Sequence, residues 1–352
     1  MTQRLIGKSW WVDLTYQSRR YRLRSPENSK KGAQAYEQTL RRRLAEGTPI
    51  QGDTRLKEQR QSFEKFAWFW FRTHVEVHNK PSSVAKARGE LRHKLIPFFG
   101  AKTIDSISTL DVERYKAKRS RKGLANKTIN NELSILGKCL RDAKKWYGLK
   151  EIPEIALLKT PPSRYNYLDE AGAAKLLEQL DGLWFEIVYV ALATGLRRGE
   201  LQGLCWDDLD LRNRTLIVRF NWCAVTRTLL SPKGNRTRTI PLTAGVVNLL
   251  EKRQQNDGFV FTTTGRAFDA HYVGCELARA SKAAGLPRVT LHVLRHSFAS
   301  QLAMKGVPIA VIQQLLGHTD IKVTMRYAHL SQSVLIDAVN TLERPIGQQL
   351  AA

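Results

Sequence analysis

Two short runs near the start, SWWVDLTY and RYRLR, alternate polar and apolar residues as half-exposed strands do, joined through Gln17 and Ser18. KKGAQAYEQTLRRRLAEG then reads as a helix that stops at Gly47. From Gln61 the pattern predicts four helices. They are SFEKFAWFWFRTHVEVH with Phe63, Phe66 and Trp70, then SSVAKARGELRHKLIPFFG, STLDVERYKAKRSRKG, and TINNELSILGKCLRDAKKWYG. Ser108 or Thr109 serves as N-cap of the third, Thr128 starts the fourth, and Gly100, Gly123 and Gly148 punctuate. Pro153, Pro161 and Pro162 mark a linker, because proline stiffens a chain and stops helices.

Beyond the linker the pattern mixes helix and strand. WFEIVYVALATGLRRGELQGLCWDDLDLRNRTLIV predicts a buried helix, a turn at Thr194 and Gly195, a second helix, and a strand. Lys233, Gly234 and Asn235 form a turn signal between two strand-like runs, which puts Lys233 on a hairpin tip. VTLHVLRHSFASQLAMKG is a helix; Pro308 opens the next and Gly317 closes it. Thr319 or Asp320 caps a last short helix, IKVTMRYAHL. Its apolar stripe is Ile321, Met325 and Ala328, with Tyr327 about a quarter-turn off it. In the tail, Leu335, Ala338, Val339 and Leu342 share one face of a terminal helix. The expected fold is multidomain and mainly α. It has a small β-sheet plus helix module at 1–58, a helical bundle at 59–152, a linker at 153–164, a mixed α+β domain at 165–345, and a tail at 346–352.

Composition adds the partner. The 352 residues carry 57 Lys plus Arg against 32 Asp plus Glu, a net charge of +25, which calls for a polyanion, nucleic acid first. The excess is 14 basic against 6 acidic over residues 1–60, 21 against 10 over 61–162, and only 22 against 16 in the rest. Arg20, Arg22 and Arg24 on the strands are candidate DNA contacts. So is the run RYKAKRSRKGLANK, with Lys116, Lys118, Arg119, Arg121, Lys122 and Lys127. Arg236 and Arg238 are further candidates near the turn. No apolar run is long enough to span a membrane, and the start lacks the apolar core of a signal peptide. Cys139, Cys205, Cys223 and Cys275 are scattered and read as reduced in a cytosolic protein. The expected location is the bacterial cytoplasm, at the nucleoid.

In chain order the third section holds Arg197 at a helix start, Glu200 one turn on, Lys233 on a turn, His292 and Arg295 three apart, His318 after a Leu-Gly break, and Tyr327. A guanidinium at a helix N-terminus suits a phosphate. A phenol of pKa ~10 is a weak nucleophile that needs cations around the group it attacks. A zinc site at His292 and His296 is disfavoured: Val293 stands where a metalloprotease helix needs Glu. His296 reads instead as a packed helix residue.

The segments ATGLRRGEL, PKGNRTRTIPL, LHVLRHSFAS and LLGHTDIKVTMRYAH, in this order and spacing, resemble the catalytic domain of the tyrosine recombinases, the phage integrase family. The helical section resembles that family's core-binding domain, and the first section, more weakly, its arm-binding domain. The resemblance implies that Tyr327 attacks a DNA phosphodiester and leaves a 3′-phosphotyrosyl link. Arg197 and Arg295 would grip the non-bridging oxygens. His292 and His318 would serve the proton and the phosphate, Lys233 would protonate the departing 5′-oxygen, and Glu200 would orient the site. It implies duplex DNA with specific sites as partner, a homotetramer on DNA whose terminal helix docks on a neighbour, room for an excisionase or DNA-bending protein, and neither metal nor cofactor. A chromosome-dimer resolvase of the Xer type, a binding protein without catalysis, and a type IB topoisomerase are the alternatives.

Overall fold

A computed structural model of the chain describes residues 2–17, 19–46, 61–161, 165–231, 237–253, 257–263 and 265–331. It divides into two units, Met1–Pro161 and Pro162–Ala352. The first begins with an antiparallel sheet of β1 (Gln3–Ile6), β2 (Ser9–Tyr16) and β3 (Arg19–Arg24) in that order. Strand β1 escapes the alternation rule, since Leu5 and Ile6 of this edge strand are exposed. Val12 and Leu14 of β2 pack on Ala33, Leu40 and Leu44 of α1 (Lys30–Ala45), whose N-cap Ser29 accepts from the Gly32 N–H.

The helical part of this unit starts at α2 (Phe63–Trp70), capped by Ser62, and α3 (Pro81–Glu90). Each runs on into a wider π turn, Phe71–Val75 and Leu91–Leu95. Helix α4 (Thr109–Arg121) has the predicted Ser108 cap, completed as a capping box by Asp111. Helix α5 (Asn126–Tyr147) starts two residues before Thr128 and ends at left-handed Gly148. Its buried Ile129, Leu133, Leu136, Leu140 and Ala143 recur at three- and four-residue steps and meet Phe63, Phe66, Leu91 and Phe99. At ~1.5–3 kcal/mol for each large buried side chain, this face adds a substantial share of the bundle's driving force. The proline-rich segment is a free linker only in part. Ile152, Ile155 and Leu158 pack on the bundle, and Asn130 bonds the Leu158 backbone through both amide atoms, at 2.8 and 2.9 Å.

In the second unit, α6 (Glu170–Leu177), α7 (Gly182–Thr194) and α8 (Arg198–Gln202) precede an antiparallel sheet of β4 (Leu209–Asp210), β5 (Thr215–Val218) and β8 (Arg238–Pro241). Between β5 and β8 a separate pair forms, β6 (Asn221–Cys223) with β7 (Thr228–Leu230). This corrects the hairpin expected around Lys233. The strands flanking it, β7 and β8, pair with different neighbours, β6 and β5. The turn itself lies outside the described residues. Then come α9 (Ala244–Glu251), the short pair β9 (Thr262–Thr263) and β10 (Arg266–Ala267), α10 (Ala270–Ala283), α11 (Leu291–Met304) and α12 (Ile309–Leu316). Ile187, Leu216, Ile240, Val246, Phe261, Phe268, Leu277 and Leu294 share one core.

The expected last helix is instead two 3₁₀ segments, Ile321–Val323 and Met325–Ser331. At ~3.0 residues per turn, positions three apart share a face. Thr324 and Tyr327 therefore turn inward, at 0% and 4% exposure, with Leu330 packed on the same cluster. The expected apolar stripe does not face inward: Ile321 and Met325 are exposed. The tail helix predicted around Leu335 and Leu342 lies outside the described residues. Among the described residues no helix is long and apolar enough to cross a membrane, and no cluster of three or more His, Cys, Asp or Glu is placed to hold a metal.

Candidate active site

Two helix ends frame the site. Helix α7 terminates at Gly195 with φ +61°, where a Cβ would strike the Phe298 ring at 2.3 Å; α12 terminates at Gly317 with φ +63°, where a Cβ would meet Arg238 Cδ at 2.8 Å. Both ends need glycine, and both bring main-chain carbonyls to the arginines. Arg295, on α11 and 3% exposed, donates to the Gly195 carbonyl at 2.7 Å and the Leu316 carbonyl at 2.6 Å. Arg197, at the N-cap position of α8, donates to the Gly317 carbonyl at 3.0 Å.

Glu200 is the hub, 2% exposed. Its carboxylate accepts both guanidinium ends of Arg238, at 3.0 and 2.7 Å, one from Arg197 at 2.7 Å, and the Arg197 backbone N–H at 2.9 Å. Burial alone would raise its pKa; the Arg238 fork, with Arg197, reverses this and holds it at about 2. Arg295 has no such partner. Among the described residues no carboxylate forms an ion pair with it, and burial, reinforced by Arg197, pulls its pKa down to about 9. A buried guanidinium held by carbonyls and an imidazole, with no carboxylate among the described residues, is a place prepared for an anion.

His318 follows Gly317, as the sequence places it. Its Nε2 lies 3.1 Å from an Arg295 nitrogen, and its Nδ1 lies 2.9 Å from the hydroxyl of Thr324. Because a guanidinium only donates, Nε2 accepts here. Burial, then Arg295 and Arg197, bring the His318 pKa down to about 3, so the ring is neutral. Tyr327 also reaches this region. Its hydroxyl is 2.5 Å from Nδ1 of His296, and its ring lies among Ala299, Ala303, Ile312 and Leu316. Burial raises the phenol pKa, partly offset by the charges of Arg326 and Arg295. The surface tyrosine suggested by a helical wheel is thus a buried one. His292 is exposed at its edge, and its ring meets His296 edge-on at 4.5 Å. Protein mass around it, then Arg295, Arg326 and Arg197, lower its pKa.

The site thus brings together Arg197, Glu200, His292, Arg295, His318 and Tyr327. Lys233 and Arg236 lie outside the described residues. Two residues that the sequence did not assign to the site belong to the same neighbourhood, His296 and Thr324, and so does Arg238, expected at the DNA but facing inward. His296 stands four after His292 on α11, a spacing that puts both on one face. Thr324 and Arg238 carry no signal short of the fold.

The expected DNA contacts divide. Arg238 is withdrawn from the list: its fork is spent on Glu200 and its Nε on the Leu315 carbonyl at 2.8 Å. Lys116 is buried against Glu113, at 2.6 Å, and Arg119 makes a two-pronged pair with buried Glu132, at 2.8 and 2.6 Å; neither presents a free cation. Arg20 and Arg22 are exposed but share Asp13, at 2.6 and 3.2 Å. Arg24, Lys118, Arg121, Lys122 and Lys127 are exposed, Lys118 above the Phe98 ring.

Comparison with known proteins places the chain among relatives of one family. A model of the phage integrase family matches residues 168–333. The integrase of Escherichia phage P2 is 30% identical over 233 residues, which cover 65% of this chain and 63% of that protein. Tyrosine recombinase XerA of Thermococcus onnurineus is 30% identical over 233 residues, covering 62% of this chain and 76% of XerA. In fold, the chain matches the Tn1549 transposon integrase solved with transposon right end DNA. The TM-score is 0.69 at 22% identity, covering 80% of this chain and all of that one.

Proposed function

The chain belongs to the phage integrase family of tyrosine recombinases, enzymes that cut and rejoin DNA, and from this premise we propose that it is the integrase of a phage or other mobile element, with Tyr327 as nucleophile. One observation carries the reading: a buried Arg295 that pairs with no carboxylate among the described residues, beside Arg197, in a region that also holds a tyrosine.

A phosphodiester seated there takes its non-bridging oxygens to Arg295 and Arg197. Two such donors contribute on the order of 3 kcal/mol each to a pentacoordinate transition state. The phenol oxygen of Tyr327 forms a bond to phosphorus as the bond to the 5′-oxygen breaks. The phenol proton leaves to a base, for which His292 at the rim is the candidate, and Lys233 gives a proton to the departing 5′-oxygen. His318 accepts from Arg295 in the free protein. When phosphate takes over that guanidinium, the Thr324 hydroxyl can donate to Nδ1 and leave Nε2–H for a phosphate oxygen. Reversal with a new 5′-hydroxyl rejoins the strand, because the phosphotyrosyl link conserves the bond energy. Glu200 fixes Arg197 and takes no part in proton transfer at a pKa of about 2.

Residues 1–58 serve as an arm-binding domain, 59–152 as a core-binding domain, and 165–345 as the catalytic domain. Exposed Arg24, Lys118, Arg121, Lys122 and Lys127 meet phosphates. Exchange between two duplexes calls for four active sites, hence a homotetramer on DNA, with an excisionase or bending protein as a further partner. An Xer-type resolvase is the second reading, favoured by the likeness to XerA and opposed by the basic sheet-plus-helix module. A nicked candidate attachment site incubated in EDTA tests the chemistry. A covalent adduct forms with the unaltered chain and not with Tyr327→Phe; an adduct that survives the substitution ends the reading. Deleting residues 1–58 separates the two biologies: core-site cleavage stays while integration falls for an integrase, and normal integration by the truncated protein rejects the arm-binding assignment.

A further inference from the structure

We propose that His296 is a positioning residue for the nucleophile: it aims the Tyr327 phenol by accepting its hydrogen bond, within a socket of rings that fixes the imidazole. The proposal rests on Tyr327 being the attacking group. The His296 Nδ1 to phenol distance is 2.5 Å, and this is the phenol's hydrogen-bond partner among the described residues. The rest of the tyrosine ring meets alanine and aliphatic side chains, which hold its plane but give no direction to its oxygen.

His296 itself has little freedom. It is 7% exposed and follows Arg295 directly on α11. The His292 ring meets it edge-on at 4.5 Å, and the Tyr165 ring lies 5.0 Å away. Tyr165 is in turn covered by the Arg326 guanidinium at 4.2 Å, the residue next to the nucleophile. Rings on two sides therefore set the imidazole, and the same helical turn that carries the buried phosphate-seeking Arg295 carries the group that points the phenol. In the proposed arrangement the phenol O–H donates, which leaves Nδ1 unprotonated and puts the ring proton on Nε2. Burial, with His292, Arg326 and Arg295, pulls the His296 pKa down to about 4, while that of the phenol is raised. The proton therefore stays on oxygen until a phosphate arrives, which makes His296 an aiming group and leaves the base to another residue.

The test uses the full chain in excess over the nicked duplex on which the unaltered protein forms its adduct. It measures the single-turnover rate of adduct formation and, separately, affinity for the same duplex by gel shift. His296→Phe, which keeps a ring and removes the acceptor, lowers the rate at least tenfold with affinity unchanged within twofold. His296→Asn, whose Oδ1 can stand near the Nδ1 position, returns the rate to within a few-fold. If the Phe variant fails to melt cooperatively, His296→Ala carries the same expectation, with added imidazole restoring the rate. A rate for the Phe or Ala variant equal to or above that of the unaltered protein overturns the proposal, because His296 would then park the phenol or merely pack against it. Failure of both Asn and imidazole to restore the rate overturns it as well. Tyr327→Phe is the separate control: an adduct there rejects the nucleophile, whereas no adduct there combined with an unaffected His296 variant rejects this inference alone.

Discussion

Each unit of the protein has a cluster of cations around a deeply buried glutamate, Glu132 in the first and Glu200 in the second, and the two clusters are resolved differently. In the helical bundle Glu132 is fully buried and accepts from Tyr115 at 2.7 Å and from Arg119 through two nitrogens, with Lys94 at 3.7 Å. Burial would raise its pKa, but Arg119 and Tyr115 hold it below the ordinary value, while burial and then Glu132 push Tyr115 up. Arg119 and Tyr115 are spent on this carboxylate, and Lys94 sits closer to Glu90, at 3.0 Å. In the second unit Glu200 takes the whole fork of Arg238 but only one guanidinium nitrogen of Arg197, and nothing of Arg295. The first cluster is closed and serves the bundle. The second is left short of negative charge, and a buried excess of positive charge is costly unless an anion completes it. Which cations are reactive therefore depends on the ratio of carboxylates to guanidiniums in each cluster, and not on how many arginines the region contains.

The sharpest way to break this contrast is at Arg295. Arg295→Gln is expected to slow adduct formation about 10³-fold or more, because an oriented charge at the transition state is lost. It should leave the melting temperature unchanged or higher, since a lone buried charge is removed. A large fall in melting temperature would show that Arg295 is a structural strut. Next in size, Arg119→Leu should destabilise the bundle by roughly 3–5 kcal/mol by stranding Glu132, while the adduct rate per folded molecule stays the same. Chemical denaturation gives the first number, and a rate loss beyond the unfolded fraction contradicts the separation of roles.

Acid titration probes the second unit at lower cost. His296 and His318 are neutral in the fold, their pKa values lowered to about 4 and about 3 first by burial. The unfolded chain therefore binds protons first. The stability they support is full above the ordinary imidazole value of ~6.5 and drains as pH falls toward 4, by about 1–2 kcal/mol after allowance for their partial exposure. Glu200 contributes above ~4.5 and loses its contribution only as pH falls toward 2, so the two windows separate. Calorimetry between pH 7 and 4.5 checks this; a flat melting temperature contradicts it. The smallest effect is expected at the surface. Replacing exposed Lys118 and Arg121 together by Ala should reduce the slope of log affinity against log salt by about 2, at ~0.9 per phosphate contact, with little change in stability. An unchanged slope would remove this helix end from the DNA interface.

Much of this was legible in the chain. Helix stops at Gly148, Gly195 and Gly317, the cap at Ser108, and the apolar steps of α5 follow from local rules that act within a few residues. The order of Arg197, His292, Arg295, His318 and Tyr327 also lay in plain view, and with it the chemistry those residue types allow. Arg238, Lys116 and Arg119 were misjudged because a basic residue looks the same in sequence whether it faces solvent or a buried carboxylate. The 3₁₀ turn was misjudged because a period of 3.6 was assumed where the chain runs near 3.

What the sequence alone determined, then, is the set of local elements, the excess of positive charge, and the residues able to perform phosphoryl transfer. The tertiary structure decided which of those cations remain unpaired. Arg197 meets the Gly317 carbonyl across 120 residues, Arg238 meets the Leu315 carbonyl across 77, and Arg295 meets the Gly195 carbonyl across 100. Charge balance and desolvation depend on such distant neighbours, which packing brings together and chain spacing does not encode.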